Sequence, residues 1–181
     1  MRRAVSSTER CGKELTDIVR IESEEDIQEV ATLARQIWTE HYVPIIGPDQ
    51  VEYMLGRLQS AEAIAAQIAD GYEYYLLSVD DESVGYLALV PDDDGQAIMI
   101  SKLYVHKSGR GSGLGWKMLE FAEEVCRERG VGKLWLTVNK NNVDSIAWYE
   151  RVGFVVSNPL VQDIGGGFVM DDYRLEKIVE V

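Results

Sequence analysis

The stretch Leu103–Trp116, LYVHKSGRGSGLGW, decides how the rest of this chain is read. An apolar strand end runs into a glycine-rich turn, and the pattern of a helix begins straight after it. Arg110, Gly113 and Gly115 stand in the spacing Arg-x-x-Gly-x-Gly. Such a turn presents successive backbone N–H groups at a helix N-terminus, which is where proteins hold phosphate. Two phosphate-binding motifs are excluded. A P-loop carries Gly-Lys-Ser/Thr at its end, whereas Lys117 lies between Trp116 and Met118. A dinucleotide fingerprint needs a third glycine where Leu114 or Trp116 stands, and repeated βαβ units that this chain lacks.

Outward from the turn, the periodicity gives an element order. A first strand is expected near Asp17–Ile21. Ser23, with Asp26 three residues on, opens a helix. Its apolar positions Ile27, Val30, Ala31, Leu33, Ala34, Ile37 and Trp38 recur at helical spacing to about His41. Pro44 and Gly47 are read as its end. Pro48 suits the first turn of a second helix, and Ser60 caps a third over Ala61–Ala69, closed by Gly71. The period then changes to two. Tyr72–Val79 and Val84–Val90 read as a hairpin, and Ala97–Val105 as the strand that delivers the glycine turn. A helix runs from Gly113 to Arg129. Lys133–Val138 is apolar enough to be read as a strand buried on both faces. Asn142–Arg151 is a short helix ending at Gly153, and Phe154–Val161 with Gly167–Glu176 closes the chain as two antiparallel strands. The order is β-α-α-α-β-β-β-α-β-α-β-β. It implies an α/β (α+β) fold with a mixed, mostly antiparallel sheet containing one right-handed parallel crossover.

Composition narrows the partners. One domain over 15–181 is the expectation for 181 residues, with residues 1–14 as a flexible leader. Lysine and arginine number 18 against 31 acidic residues, a net charge of −13. That excludes non-specific binding of nucleic acid, which needs a basic face. It suits a cationic small molecule and serves solubility equally well. No apolar run approaches the roughly 20 residues of a membrane span, and no apolar stretch follows Arg2 and Arg3 as in a secretory signal. Cys11 and Cys126 form neither a disulfide framework nor a metal quartet. Cys126 shares a helical face with Met118, Leu119, Ala122 and Val125, so it reads as a buried thiol in a cytoplasmic protein.

A second motif, VNKNNVDSIAWYERVGF at Val138–Phe154, gives the turn its meaning. Together with RGSGLG it resembles the GNAT superfamily of acetyl-CoA-dependent N-acetyltransferases, over about Asp17–Lys177. Arg110, Gly113 and Gly115 match the first signature of that family. Asn142, Ser145, Trp148, Tyr149, Gly153 and Phe154 match the second, with Ser145 and Trp148 as substitutions. The resemblance implies the acyl-CoA N-acyltransferase fold, flanked by helices on both faces, with the parallel crossover at the cofactor site. It implies that the backbone of Arg110, Gly111, Ser112, Gly113, Leu114, Gly115 and Trp116 cradles the pyrophosphate of coenzyme A. Leu103, Tyr104 and Val105 would pair with its pantetheine arm, and Asn142 and Ser145 would contact the cofactor. Tyr149 would bring its hydroxyl to the thioester sulfur. The reaction implied is acetyl transfer to a primary amine.

The plainer readings stay beside these. Asn142 also suits a helix N-cap, Tyr149 a core aromatic, and Gly153-Phe154 a helix end with a core side chain. Trp116, Trp135 and Trp148 read as packing residues, and His41 and His106 stand near the expected site without an assigned role. One departure from the family pattern is Ser101, where many relatives carry a glutamate acting as a base through water. A remote carboxylate, or an acceptor arriving neutral, would have to replace it. The helix pair with Tyr42, Pro48 and Tyr53 resembles that of bacterial polyamine acetyltransferases of this superfamily; with the acidic balance, that resemblance implies a small, polyamine-like amine as acceptor, with aminoglycosides and amino acids left open. A protein or peptide amine remains an alternative. So do a module that binds acetyl-CoA without turnover, a phosphate-binding regulator of nucleotide type, and a homodimer.

Overall fold

The computed structural model describes residues 15–181. The leader and Cys11 fall outside the described residues. Thirteen elements follow the expected order: β1 (Thr16–Arg20), α1 (Glu24–Ile46), α2 (Pro48–Leu58), α3 (Ala61–Ala69), β2 (Glu73–Val79), β3 (Glu82–Pro91), β4 (Ile98–Val105), a 3-10 turn (Lys107–Gly109), α4 (Leu114–Arg129), β5 (Lys133–Asn139), α5 (Val143–Arg151), β6 (Val155–Gly165) and β7 (Phe168–Ile178). The strands form a seven-stranded sheet in the order β1-β2-β3-β4-β5-β7-β6. The β1–β2, β2–β3, β5–β7 and β6–β7 pairs are antiparallel. The β4–β5 pair is parallel, through Ile98 opposite Leu134 and Met99 opposite Trp135. None of the described helices is long and apolar enough to cross a membrane.

The chain divides into two compact units. The first holds the residues up to Leu89 together with Lys102–Phe121. Its core is one face of α1 and α3 laid on β2 and β3, where Val30, Ala34, Ile37 and Ile64 meet Tyr74, Leu76, Tyr86 and Ala88. Burying one such large apolar side chain contributes about 1.5–3 kcal/mol. The start of α1 is fixed by a capping box. Ser23 Oγ accepts from the Asp26 N–H at 3.1 Å, and the Asp26 carboxylate accepts from the Ser23 N–H at 3.2 Å. Ser60 caps α3 in the same way, accepting from Ala63 N–H at 3.2 Å. Of the two residues expected to end α1, Gly47 does so and Pro44 does not. The helix passes His41 and contains Pro44, ending only at Gly47, whose φ is +84°. A proline costs one N–H and crowds the carbonyl four residues back, but its own φ is helical. The left-handed glycine is the stronger stop, and it doubles as the residue before Pro48, which opens α2. Asp80 and Asp81, both at positive φ, close the β2–β3 hairpin, as two-residue turns between twisted strands require.

The second unit holds Val90–Ser101 and Ala122–Val181. Leu134, Leu136, Val138 and Leu175 are buried on one face of β5 and β7, and Ala122, Val125 and Cys126 are buried on α4. Lys177 ties β7 to α4, donating to Glu123 Oε1 at 2.5 Å and to the Val152 carbonyl at 2.7 Å. Burial pushes the Cys126 thiol up to about 11, in keeping with an inert core residue. β5 is not buried on both faces. Its burial alternates, and Lys133, Trp135, Thr137 and Asn139 are only half-buried. Polar groups cover that second face instead. The Arg174 guanidinium lies 3.9 Å over the Trp135 ring, and Trp135 Nε1 donates to the Asp92 carboxylate at 3.0 Å. The closing hairpin is longer than the pattern suggested, since Gly165, Gly166 and Gly167 all take positive φ and let β6 and β7 pair up to the turn.

One backbone approach in the first unit admits no side chain. A Cβ on Gly85 of β3 would stand 2.7 Å from the Tyr104 carbonyl oxygen of β4. Gly85→Ala is therefore expected to lower the unfolding free energy by about 1–3 kcal/mol, the usual cost of overpacking. Chemical denaturation measures this, and an alanine variant as stable as the wild type would contradict the close approach.

Candidate functional site

The glycine turn lies wholly in the first unit. Gly109 N–H bonds the His106 carbonyl at 2.9 Å, and Arg110 N–H bonds the Lys107 carbonyl at 3.2 Å, winding the chain through the 3-10 turn. At Gly109 a Cβ would meet Leu114 Cδ1 at 2.8 Å and Val105 Cγ1 at 3.2 Å, so a side chain fits there only if those methyl groups shift. The pattern Arg-x-x-Gly-x-Gly does not include this glycine, which only the packing of strand end on helix start reveals. Gly111 and Gly113 take φ of +81° and +84°, with open space where a Cβ would stand. Arg110 Nε donates to the Val105 carbonyl at 3.0 Å, and Ser112 Oγ to the Gly109 carbonyl at 2.6 Å, so both side chains brace the turn. Leu114 is buried as the anchor of α4. Gly115 and Trp116 belong to the first helical turn, whose N–H groups have no carbonyl one turn back. Trp116 is 45% exposed, which corrects its reading as a packing residue.

Beside the turn, the last residues of β4 join an aromatic group that the sequence pattern left scattered. Trp38 and Tyr42 are one helical turn apart on α1, with ring centres 4.6 Å apart. The Tyr104 ring of β4 lies 5.7 Å from Trp38, 6.2 Å from Tyr42 and 5.2 Å from Tyr86. Leu103, Tyr104 and Val105 are half-buried. Two separate sets of polar contacts lie in the same unit. Tyr86 donates to Gln59 Oε1 at 3.3 Å, while Gln67 Oε1 accepts from Tyr74 at 2.6 Å and from Lys102 Nζ at 2.8 Å. Gln67 in turn donates to the Leu58 carbonyl at 3.1 Å. Lys102 is 6% exposed, and its ammonium lies 5.5 Å and 5.2 Å from the ring centres of Tyr72 and Tyr74. Burial pulls its amine down to about 8. His41 stacks edge-on to Tyr42 at 4.8 Å, and His106 Nδ1 is engaged with Ser108 Oγ at 2.8 Å.

The second signature lies in the other unit. Asn142 occupies the N-cap position of α5, and its carbonyl accepts from Ile146 N–H at 3.1 Å. Its side chain makes no capping bond, although it is only 4% exposed. The amide expected to cap the helix is thus not used for that purpose. Ser145 is half-buried one turn on. Tyr149 is buried, with Trp148 and Phe154 rings at 4.9 Å and 5.4 Å. Its core-aromatic role is therefore real, whatever its hydroxyl does. On β7, Asp172 is 4% exposed and faces Asn139 across the ladder. Burial raises its carboxyl to about 6, against a hydrogen bond from Thr137 that favours the ionised form. Nothing in the sequence around Asp172 signals that burial.

A family model described as the acetyltransferase (GNAT) family matches residues 30–154. An uncharacterised N-acetyltransferase of the pepI 3′ region in Lactobacillus delbrueckii subsp. lactis is 31% identical over 138 residues, covering 72% of this chain and 80% of the relative. A streptothricin acetyltransferase of Streptomyces lavendulae is 33% identical over 86 residues, 48% of this chain and 46% of its own length. The crystal structure of the PaiA N-acetyltransferase of Thermoplasma acidophilum, in complex with coenzyme A, superposes with a TM-score of 0.75 at 21% identity. That match covers 90% of this chain and 98% of the other.

The Lys102 environment gives a pH test. Its folded pKa of about 8 lies below the 10.5 of a free lysine, so above pH 8 the unfolded chain binds more protons than the folded one. Stability contributed at this position accordingly rises with pH from about 8 towards 10.5. Relative to Lys102→Met, the wild type is expected to gain unfolding free energy between pH 7 and 9.5. A difference that stays flat across that range would place the ammonium in water.

Proposed function

The chain belongs to the GNAT family of acetyltransferases and is an N-acetyltransferase, and from that membership we propose that it acetylates a small, cationic, polyamine-like amine with acetyl-CoA as donor. The observation that carries the reading is the glycine turn. Gly111 and Gly113, at positive φ with open space beside them, lead into the N-terminus of α4. A pyrophosphate needs that combination of donors, positive potential and absent side chains. In this reading Arg110–Trp116 hold the pyrophosphate, and Leu103, Tyr104 and Val105 offer backbone groups to the pantetheine arm as an added strand would. Asn142 and Ser145 contact the same cosubstrate, and residues 15–181 work as one catalytic domain.

Acetyl-CoA supplies a thioester carbonyl for the amine to attack and a thiol to leave. The Leu103 N–H is assigned to the carbonyl oxygen, where charge develops. Tyr149 is assigned to the sulfur. A phenol near 10 donates slightly uphill to a thiolate near 8.5, so hydrogen bonding to the sulfur carries part of the effect. The aromatic group of Trp38, Tyr42 and Tyr104 supports a cationic acceptor, since ring faces attract alkylammonium ions. The net charge of −13 favours the same class. The similarity to a streptothricin acetyltransferase supports a second acceptor class, antibiotic amines of that kind.

Thiol release from acetyl-CoA, measured with spermidine, spermine, streptothricin and a peptide N-terminus in parallel, tests the acceptor. Turnover with the polyamines is expected. Turnover with streptothricin or the peptide alone would overturn the polyamine reading. Tyr149→Phe is expected to lower kcat by about 10²–10⁴-fold, the usual contribution of a proton donor, with the KM for acetyl-CoA little changed. A variant that releases thiol as fast as the wild type would overturn the assignment of Tyr149 to the sulfur.

A further inference from the structure

An amine acceptor arrives protonated, and Ser101 stands where relatives carry a base, so some other group must take the proton. We propose that Asp172 is that general base, receiving the proton of the acceptor ammonium through ordered water. The proposal rests on the acetyl-transfer reading above and adds its missing proton acceptor.

Alternation along the strands puts Trp135, Thr137 and Asn139 of β5 on one face with Glu176, Arg174 and Asp172 of β7, by the cross-strand register. It is the face opposite the one that Leu134, Leu136 and Leu175 bury. Asp172 stands opposite Asn139, the last residue of β5. Ligands of α/β sheets bind at the carboxyl ends of parallel strands. The turn that follows β5 is built on Asn139 and on Asp171, the chain neighbour of Asp172. Lys140 N–H bonds the Asp171 carbonyl at 3.0 Å, Asn141 N–H bonds Asn139 Oδ1 at 2.9 Å, and Asn142 N–H bonds the Asn139 carbonyl at 2.9 Å. Asp172 thus stands opposite the residue from which this turn leads to Asn142, and Tyr149 follows on the helix that the turn starts.

The charged neighbours account for its state. Thr137 of β5 donates to the carboxylate, Asp171 beside it repels, and Lys140 from the turn attracts. The Lys140 ammonium is ion-paired with Asp171 rather than given over to Asp172. Arg174, on the same face, is held by Glu176 at 2.9 Å and stacked on Trp135. Burial outweighs these, leaving a carboxyl that titrates at about 6. Such a group is ionised at neutral pH, yet basic enough to take a proton from water that solvates an ammonium.

The proton balance closes. The acceptor R–NH₃⁺ gives one proton through water to the Asp172 carboxylate. The freed lone pair forms the C–N bond, the C–S bond breaks, and the thiolate takes the Tyr149 hydroxyl proton. The second nitrogen proton returns to the Tyr149 phenolate, and Asp172 releases its proton to solvent.

The test is the pH dependence of kcat/KM for wild type, Asp172→Asn and Asp171→Asn, with coenzyme A binding followed by thermal shift. The wild type is expected to lose activity as pH falls through about 6, because protonation removes the base. Asp172→Asn is expected to lose about 10²–10⁴-fold in kcat at pH 7, to lose that acid limb, and to bind coenzyme A as the wild type does. Asp171→Asn should keep the limb. An Asp172→Asn enzyme with the wild-type limb and rate overturns the base while leaving acetyl transfer intact. An Asp172→Asn protein that no longer binds coenzyme A assigns the residue to structure instead. A wild type that releases no thiol with any acceptor overturns the acetyl-transfer reading itself, and the base with it.

Discussion

Two close approaches at glycines set the geometry of the first unit. At Gly85 the β3 backbone comes so near the Tyr104 carbonyl that no side chain fits between them. At Gly109 the chain lies under the side-chain ends of Leu114 and Val105 instead. Between these contacts lie the final residues of β4 and the turn into α4. Tyr104 is thereby held within its ring of Trp38, Tyr42 and Tyr86, and Arg110 is placed to bind the Val105 carbonyl. Packing to solid-like density transmits such constraints without slack, so positions that look like plain glycines determine where polar atoms point.

Much of this fold was legible because its punctuation is local. Ser23, Ser60, Pro48 and Gly71 act on their own neighbours, and each element they bound was found within a few residues. The errors came where one local signal outranked another. Pro44 suggested an end that Gly47 supplies, and the apolar run of β5 suggested burial on both faces. On one of those faces Arg174 and Asp92 cover Trp135 from distant points of the chain. Of the candidate site, the glycine turn and the Asn142–Tyr149 segment could be read from spacing, since each is a short contiguous motif. The aromatic group could not, because Trp38, Tyr86 and Tyr104 meet only through the sheet. Nor could Lys102 and Asp172, whose character depends on burial that no neighbouring residue announces.

Burial moves the two groups in opposite directions, and for one reason. Removing water disfavours charge, so the Lys102 ammonium is weakened and the Asp172 carboxyl is strengthened as a proton holder. The surrounding groups limit the cost. Gln67 and two tyrosine rings face the lysine, and Thr137 and Lys140 face the aspartate. Each charged form therefore carries a desolvation cost that its partners offset in part.

The outer strand β6 carries a different consequence. It pairs with β7 on one side only and contains no lysine or arginine over its eleven residues. An open edge of that length, with Val155 and Val161 exposed, is a template on which any extended chain can grow further sheet. Pro159 interrupts it near the middle. With no N–H to give, that residue breaks the row of donors into two short pieces, each too brief to hold an incoming strand. The proline thus acts as a guard against fibril-like stacking.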